Sequence, residues 1–184
     1  MKEDLQRTID TDLEKGYAKK LTPEEAKNPV RHQWFLPHHP VVNLNKPGKV
    51  RRVCNAATTY GNISLNDHLL TGPDLLNSLV GVLMRFREER VALCADIEVM
   101  FSQVAVPPQD QVALRFLWRE DCNSPPIVYQ FLRHVFGAKS SLTSANYVLQ
   151  QTARDNAKYL PKAAETVFKN FYMEDLTEML TNPT

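Results

Sequence analysis

Apolar residues recur every four positions at the start of the chain, at Leu5, Ile9, Leu13 and Tyr17, the spacing of an amphipathic helix. "LTPEEAKN" (Leu21 to Asn28) predicts a short second helix, with Thr22 as cap, Pro23 at its first position and acids in its first turn. In "HHPVVNLNKPGKVRRVCN" the segments "VVNL" and "VRRVC" are strand-like, and "NKPG" supplies turn residues between them, so a hairpin is predicted. "TGPDLLNSLVGVLMRF" (Thr71 to Phe86) has proline near its start and dense apolar spacing, which predicts a largely buried helix. "VALCADIEVMF" is a near-continuous apolar run carrying Asp96 at its end, the pattern of a central buried strand. "QVALRFLW" and "PIVYQFLRHVF" predict two further strands around the turn "REDCNSPP". Ser140 to Leu160 predicts a helix of about five turns, with serine available to cap it. "ETVFKNFYMEDLTEML" reads as a strand, a tight acidic turn and the start of a second strand. Helices, hairpin, helix, strand, hairpin, helix and hairpin, in that order, indicate an α+β fold around an antiparallel sheet.

Composition narrows the class without naming a function. With 184 residues, 43% hydrophobic and 23% charged, the chain suits one globular domain or a fragment of a larger one. A net charge of +1 gives no global sign of a nucleic-acid partner, so any such sign must be local. No apolar stretch is long enough for a membrane span and "MKEDLQRTID" lacks an apolar signal segment, so an intracellular protein is expected. Cys54, Cys94 and Cys122 are an odd number without CxxC spacing, and read as small buried thiols in a reducing compartment.

The chemistry-bearing candidates are acids. Asp96 ends an apolar strand, and Glu174-Asp175 sit at a hairpin bend 78 and 79 positions later. If those strands are neighbours, three carboxylates meet at one end of the sheet, where they repel one another unless a cation neutralises them. Magnesium takes hard oxygen ligands and shares them with substrate phosphates, so the expected chemistry is phosphoryl transfer assisted by two ions. The plainer alternative makes Asp96 a turn cap and Glu174-Asp175 a solvated tip.

Three stretches weigh against that alternative. "ADIEVMFSQV" resembles the first polymerase motif of reverse transcriptases, an Asp followed five residues later by an aromatic. "HVFGAKSSLTSANYVL" resembles the second, and "FYMED" the third, Tyr-x-Asp-Asp. "WFLPHHPVVNLNKPGKVRRVCNAA", "SLNDHLLTGPDLLNSLVGVLMRFRE" and "LRFLW" look like the polymerase of BEL/Pao LTR retrotransposons. The likeness runs from about Gly16 to Leu180. It implies an RNA-directed DNA polymerase with a right-hand fold, fingers at about 1–71 and 104–140 and a partial palm at about 72–103 and 141–184. By position, Asp96, Glu174 and Asp175 would be catalytic and would hold two magnesium or manganese ions, with the Ile97 carbonyl helping. Lys46, Lys49 and Arg51 would grip the triphosphate of the incoming dNTP. Phe101 would exclude a 2′-hydroxyl, Phe136 and Gly137 would line the nucleotide pocket, and Tyr172 and Met173 would touch primer-template. The implied partners are an RNA or DNA template and a DNA primer. The implied setting is a larger polyprotein with thumb and RNase H, in the cytoplasm, an element particle or the nucleus. His32, His38 and His39 lack a convincing set of zinc partners and are expected to pack or position backbone.

Three departures point to an impaired copy. Glu174 replaces the first acid of the third motif, and its extra methylene displaces the carboxylate by roughly an ångström, a shift that can cost about 100-fold in rate. Leu142 stands where a proline normally begins the helix. The sequence ends at "LTNPT", just after the third motif, so the thumb is expected to be absent. The competing expectation is an inactive remnant that binds nucleic acid or has no host function.

Overall fold

The structure, a computed structural model, describes residues 2–27, 31–42, 50–121 and 123–180. Two compact units emerge, Met1–Leu70 with Phe101–Ser141, and Thr71–Met100 with Leu142–Thr184. Their described elements are α+β, and every paired strand is antiparallel.

The first unit opens with α1 (Lys2–Glu14), whose four-residue apolar spacing buries Leu5 and Ile9. Tyr17 falls beyond the helix. Strand β1 (Ala18–Lys20) follows, and α2 (Pro23–Lys27) is closed by a capping box. The Glu25 amide donates to Thr22 Oγ1 at 3.2 Å and the Thr22 amide to Glu25 Oε2 at 2.8 Å. Strands β2 (His38–Val42) and β3 (Val50–Cys54) form the expected hairpin, two short strands paired from His38–Cys54 to Val42–Val50. Its turn lies outside the described residues. Helix α3 (Leu65–His68) precedes β5 (Arg115–Trp118) and β6 (Ile127–Phe131), which join β1 in a sheet of order β1-β6-β5.

The core of this unit is aromatic. Phe116 stacks on Tyr129 at 5.2 Å and lies 4.7 Å from Phe131. Over those rings sits a cation. The Arg52 guanidinium is 4.3 Å from the Phe116 centroid and 4.6 Å from that of Phe131, and its side chain is only 4% exposed. Asp12 of α1 pairs with it, tying the helix to β3. Burial pushes the Asp12 carboxyl above its ordinary pKa even with the guanidinium beside it. His38 lies on the inner side of β2, its ring 5.4 Å from Phe116 and its Nε2 3.1 Å from the Leu117 carbonyl oxygen. It packs, as expected, while His39 is exposed.

The second unit comprises α4 (Leu79–Arg85), β4 (Val91–Asp96), α5 (Ser141–Asn156, its first residue in the other unit), α6 (Pro161–Asn170), β7 (Phe171–Tyr172) and β8 (Asp175–Leu180). The sheet order is β4-β8-β7.

Four expectations are corrected here. The buried helix over Thr71–Phe86 shrinks to α4, of which only Val82 is buried; Ser78 caps it, accepting from the Gly81 amide, and the chain before it runs non-helical through Gly72-Pro73. Strand β4 is an edge strand, with Ala92 to Asp96 exposed, because an apolar run fixes a strand without fixing how many neighbours it has. Glu165–Asn170 is helix, since Ala164, Val167, Phe168 and Phe171 follow helical spacing behind Pro161. Ser141, the first residue of α5, braces the preceding loop, its Oγ donating to the Val135 carbonyl at 2.8 Å. Cys54 is buried and burial pushes its thiol up to about 11, whereas Cys94 is exposed against expectation, and Cys122 lies outside the described residues.

Removing Asp12 strands a buried cation, so Asp12→Ala is expected to lower the unfolding free energy by about 3–5 kcal/mol in urea titrations. The paired change Asp12→Leu with Arg52→Met is expected to recover most of that loss. Burial lowers the pKa of His38 and of His134 below the ordinary 6.5. A histidine depressed in the folded state contributes stability above its unfolded pKa and loses it as pH falls through the folded value. The urea midpoint should therefore decline below pH 6.5, and a His38→Asn chain should show a shallower decline.

Candidate active site

The β4–β8 ladder runs from Val91 opposite Leu180 to Asp96 opposite Asp175. Beyond it, the Ile97 amide donates to the Glu174 carbonyl at 3.0 Å. A bond in that position makes Asp96–Asp175 a non-hydrogen-bonded pair, the kind in which Cα atoms approach to about 4.5 Å and side chains lie closest. Residues paired across a ladder project from the same face, so both carboxylates leave the sheet together. Tyr172, opposite Asp175 in β7, shares their face.

Like charges directly opposite one another destabilise a sheet. Asp96 and Asp175 are both exposed, and among the described residues neither carboxylate has a hydrogen-bond or ion-pair partner. Glu174 is half-buried at the second position of the two-residue turn. Among the described residues, no three His, Cys, Asp or Glu side chains stand close enough to hold a metal ion. The structure thus brings Asp96 and Asp175 together, with Glu174 tied by its backbone to Ile97, without a preformed three-carboxylate cradle. The donor set still suits a hard divalent ion, because magnesium is usually held by one or two carboxylates together with substrate phosphates.

The backbone is strained on both sides of the acids. Met173, first residue of the turn, has φ +57°, a position of type II′ turns that glycine normally fills. Val99, three residues past Asp96, has φ +45°, which for a β-branched residue is an outlier of the kind that collects at functional sites.

Of the residues expected to bind nucleotide, Arg51, Phe101, Phe136 and Gly137 lie in the first unit. Phe101, 7% exposed, meets Phe136 edge-on at 4.4 Å, and Phe136 is half exposed. Gly137, with φ +95°, approaches the end of β3 so closely that a Cβ there would lie 2.3 Å from the Cys54 carbonyl oxygen. Asn66 holds this loop from two sides, donating to the Gly137 carbonyl at 3.2 Å and accepting from the Lys139 amide at 2.9 Å. Sequence reasoning passed over Asn66, and an Asn beside a helix start offered no signal separable from capping. Arg51 is exposed on β3, next to the buried Arg52. Lys46 and Lys49 lie outside the described residues.

No family model and no curated protein matches the chain. Among solved structures, the chain is similar to a foamy viral protease–reverse transcriptase in complex with double-stranded DNA, with a TM-score of 0.65 and 18% identity. The similarity covers 98% of this chain and 26% of that one, so the chain spans about a quarter of its neighbour's length. At that identity the likeness is one of fold: the architecture is reverse-transcriptase-like.

Gly137→Ala adds both a clash with backbone and a disfavoured φ, and is expected to cost more than about 3 kcal/mol in urea unfolding. Asn66→Ala, which only frees the loop, should cost about 1–2 kcal/mol.

Proposed function

We propose that the chain is the fingers and palm portion of a BEL/Pao-type retrotransposon reverse transcriptase, extending a DNA primer with dNTPs on an RNA or DNA template. The observation that carries this reading is the Asp96–Asp175 pair, two carboxylates held face to face with no cation among the described residues to offset them. The order and wording of the three motifs and the reverse-transcriptase-like fold support it.

In this reading Asp96, Glu174 and Asp175, with the Ile97 carbonyl, would hold two magnesium or manganese ions. When bound, such ions activate an attacking hydroxyl and stabilise a leaving pyrophosphate. Held in the non-hydrogen-bonded pair, the two carboxylates fix where that charge sits, which is most of what phosphoryl transfer asks of a protein. Phe101, fixed by Phe136, would close the sugar side of the pocket against a 2′-hydroxyl, and Gly137 would let the backbone come close to the base. Arg51, with Lys46 and Lys49, would bind the triphosphate, and Tyr172 and Met173 would face the primer-template. Glu174 would set its carboxylate roughly an ångström from the aspartate position, a shift that can cost about 100-fold in rate, so activity is expected to be weak.

Primer extension on an RNA template with magnesium tests the reading. The chain as it stands should extend poorly, Glu174→Asp should raise the rate by about 10- to 100-fold, and Asp96→Asn or Asp175→Asn should abolish extension. Efficient extension by the unaltered chain would refute the impairment, and extension indifferent to Asp96→Asn would refute the assignment of the acids. Glu174 also favours a second reading, an inactive remnant that still binds nucleic acid. Activity absent even with Glu174→Asp, together with binding to an RNA–DNA hybrid that falls steeply with salt, would select it.

A further inference from the structure

The acidic hairpin is held at its root by a segment that none of the three polymerase motifs contains. Helix α6 ends at Asn170 and β7 starts at Phe171, so residues 169–171 decide where Tyr172-Met173-Glu174-Asp175 emerges. All three are tied to the chain around α4. Arg85, the last residue of α4, donates through Nη2 to the Lys169 carbonyl and through Nε to Asn170 Oδ1 at 3.2 Å. Asn77, just before the helix, donates through Nδ2 to the Phe171 carbonyl at 2.8 Å. Carbonyls at a helix C-terminus have no intrahelical partner and carry the negative end of its dipole, so a guanidinium there is favoured twice.

We infer that Arg85, assisted by Asn77, is a positioning residue that sets the register of the acidic hairpin against β4. The far side of the hairpin is fixed by the ladder that closes with the Ile97 amide on Glu174. Without Arg85 the polar tie from α4 to residues 169–171 would be reduced, among the described residues, to the one Asn77 bond. Arg85 also lines an open cleft of about 350 Å³, together with Glu88, Glu165, Lys169 and Glu178. Truncating it therefore opens onto water and leaves no sealed cavity, so the damage stays local. The functional consequence rests on the proposed reading of Asp96 and Asp175 as metal ligands, whereas the structural tie does not.

The test uses the full chain with Arg85→Ala, Arg85→Lys and Asn77→Ala, and two readouts. The first is hydrogen exchange at the Ile97 amide. Arg85→Ala should speed it by about tenfold or more relative to the β5–β6 amides of the first unit, since bonds from a charged donor are among the stronger ones in a protein. Arg85→Lys, which keeps the charge but loses the fork, should fall between. The second is Mn²⁺ binding, with Asp96→Asn as the control that removes the site. Arg85→Ala should weaken it by about five- to tenfold at unchanged first-unit protection.

If Ile97 exchange and Mn²⁺ affinity both match the unaltered chain, the inference is overturned. Should the unaltered chain bind no Mn²⁺, or bind it independently of Asp96, the proposed reading fails, and Ile97 exchange alone decides the positioning role. If Arg85→Ala loosens the whole second unit, the milder Asn77→Ala decides it: selective exchange at Ile97 supports the inference, and uniform exchange overturns it.

Discussion

Strand β8 must find β4 across more than seventy residues of intervening chain, and the placement of the acids follows from that pairing. The ladder is six pairs long, and its last pair is Asp96–Asp175. Backbone pairing and apolar pairs such as Ala95–Leu176 favour the ladder, while electrostatics disfavour its end. A sheet that ends in opposed carboxylates accepts a local penalty that its other pairs must outweigh. Folding alone gives no reason to put them there. The proposed metal-dependent chemistry would, because charges that repel in the free protein become ligands once a cation arrives.

The first unit handles charge in the opposite way. It buries two arginine side chains among internal partners, although Arg52 Nη1 is left without a hydrogen-bond acceptor. Arg52 lies over two aromatic rings with Asp12 beside it, and Arg115, 4% exposed, donates to the side-chain carbonyls of Gln130 at 3.1 Å and Gln33 at 2.7 Å. These contacts fix the inner face of β3, which leaves Arg51 on the outer face by simple alternation. One strand thus carries a structural cation and a solvent-facing cation side by side. Only their parity along the chain separates the two roles.

Most strands and the first two helices were legible in the sequence because period and capping residues agreed, as at Thr22, Pro23 and Glu25. The misreadings cluster in the second unit. Val167, Phe168, Phe171 and Tyr172 form a dense apolar run that suits strand or helix, and only the spacing from Ala164 favours helix over a strand leading into the turn. Around Thr71 to Ser78, proline and leucine spacing suggested a helix that tertiary bonds prevent: Gln150 Nε2 donates to the Leu75 carbonyl at 3.0 Å and Asn77 reaches Phe171. The acids stand out by their places at the end of an apolar run and at a hairpin bend, but only the motif resemblance separates them from a turn cap and a solvated tip, since nothing in the spacing of Asp96 and Asp175 announces that they pair. The support around them was invisible. Arg85 and Asn66 act through backbone carbonyls, and a carbonyl leaves no trace in residue identity.

The two-residue turn between β7 and β8 has a genetic corollary. Side chains alternate across a strand, so inserting or deleting one codon within 171–180 would send Asp175 or its neighbours to the opposite face. Exchanging one residue for another, as with an acid one methylene longer, only nudges a group that still points the right way. The segment can therefore drift in composition while its length stays frozen, and copies of such a gene should lose the site abruptly through frame-preserving indels and gradually through missense change.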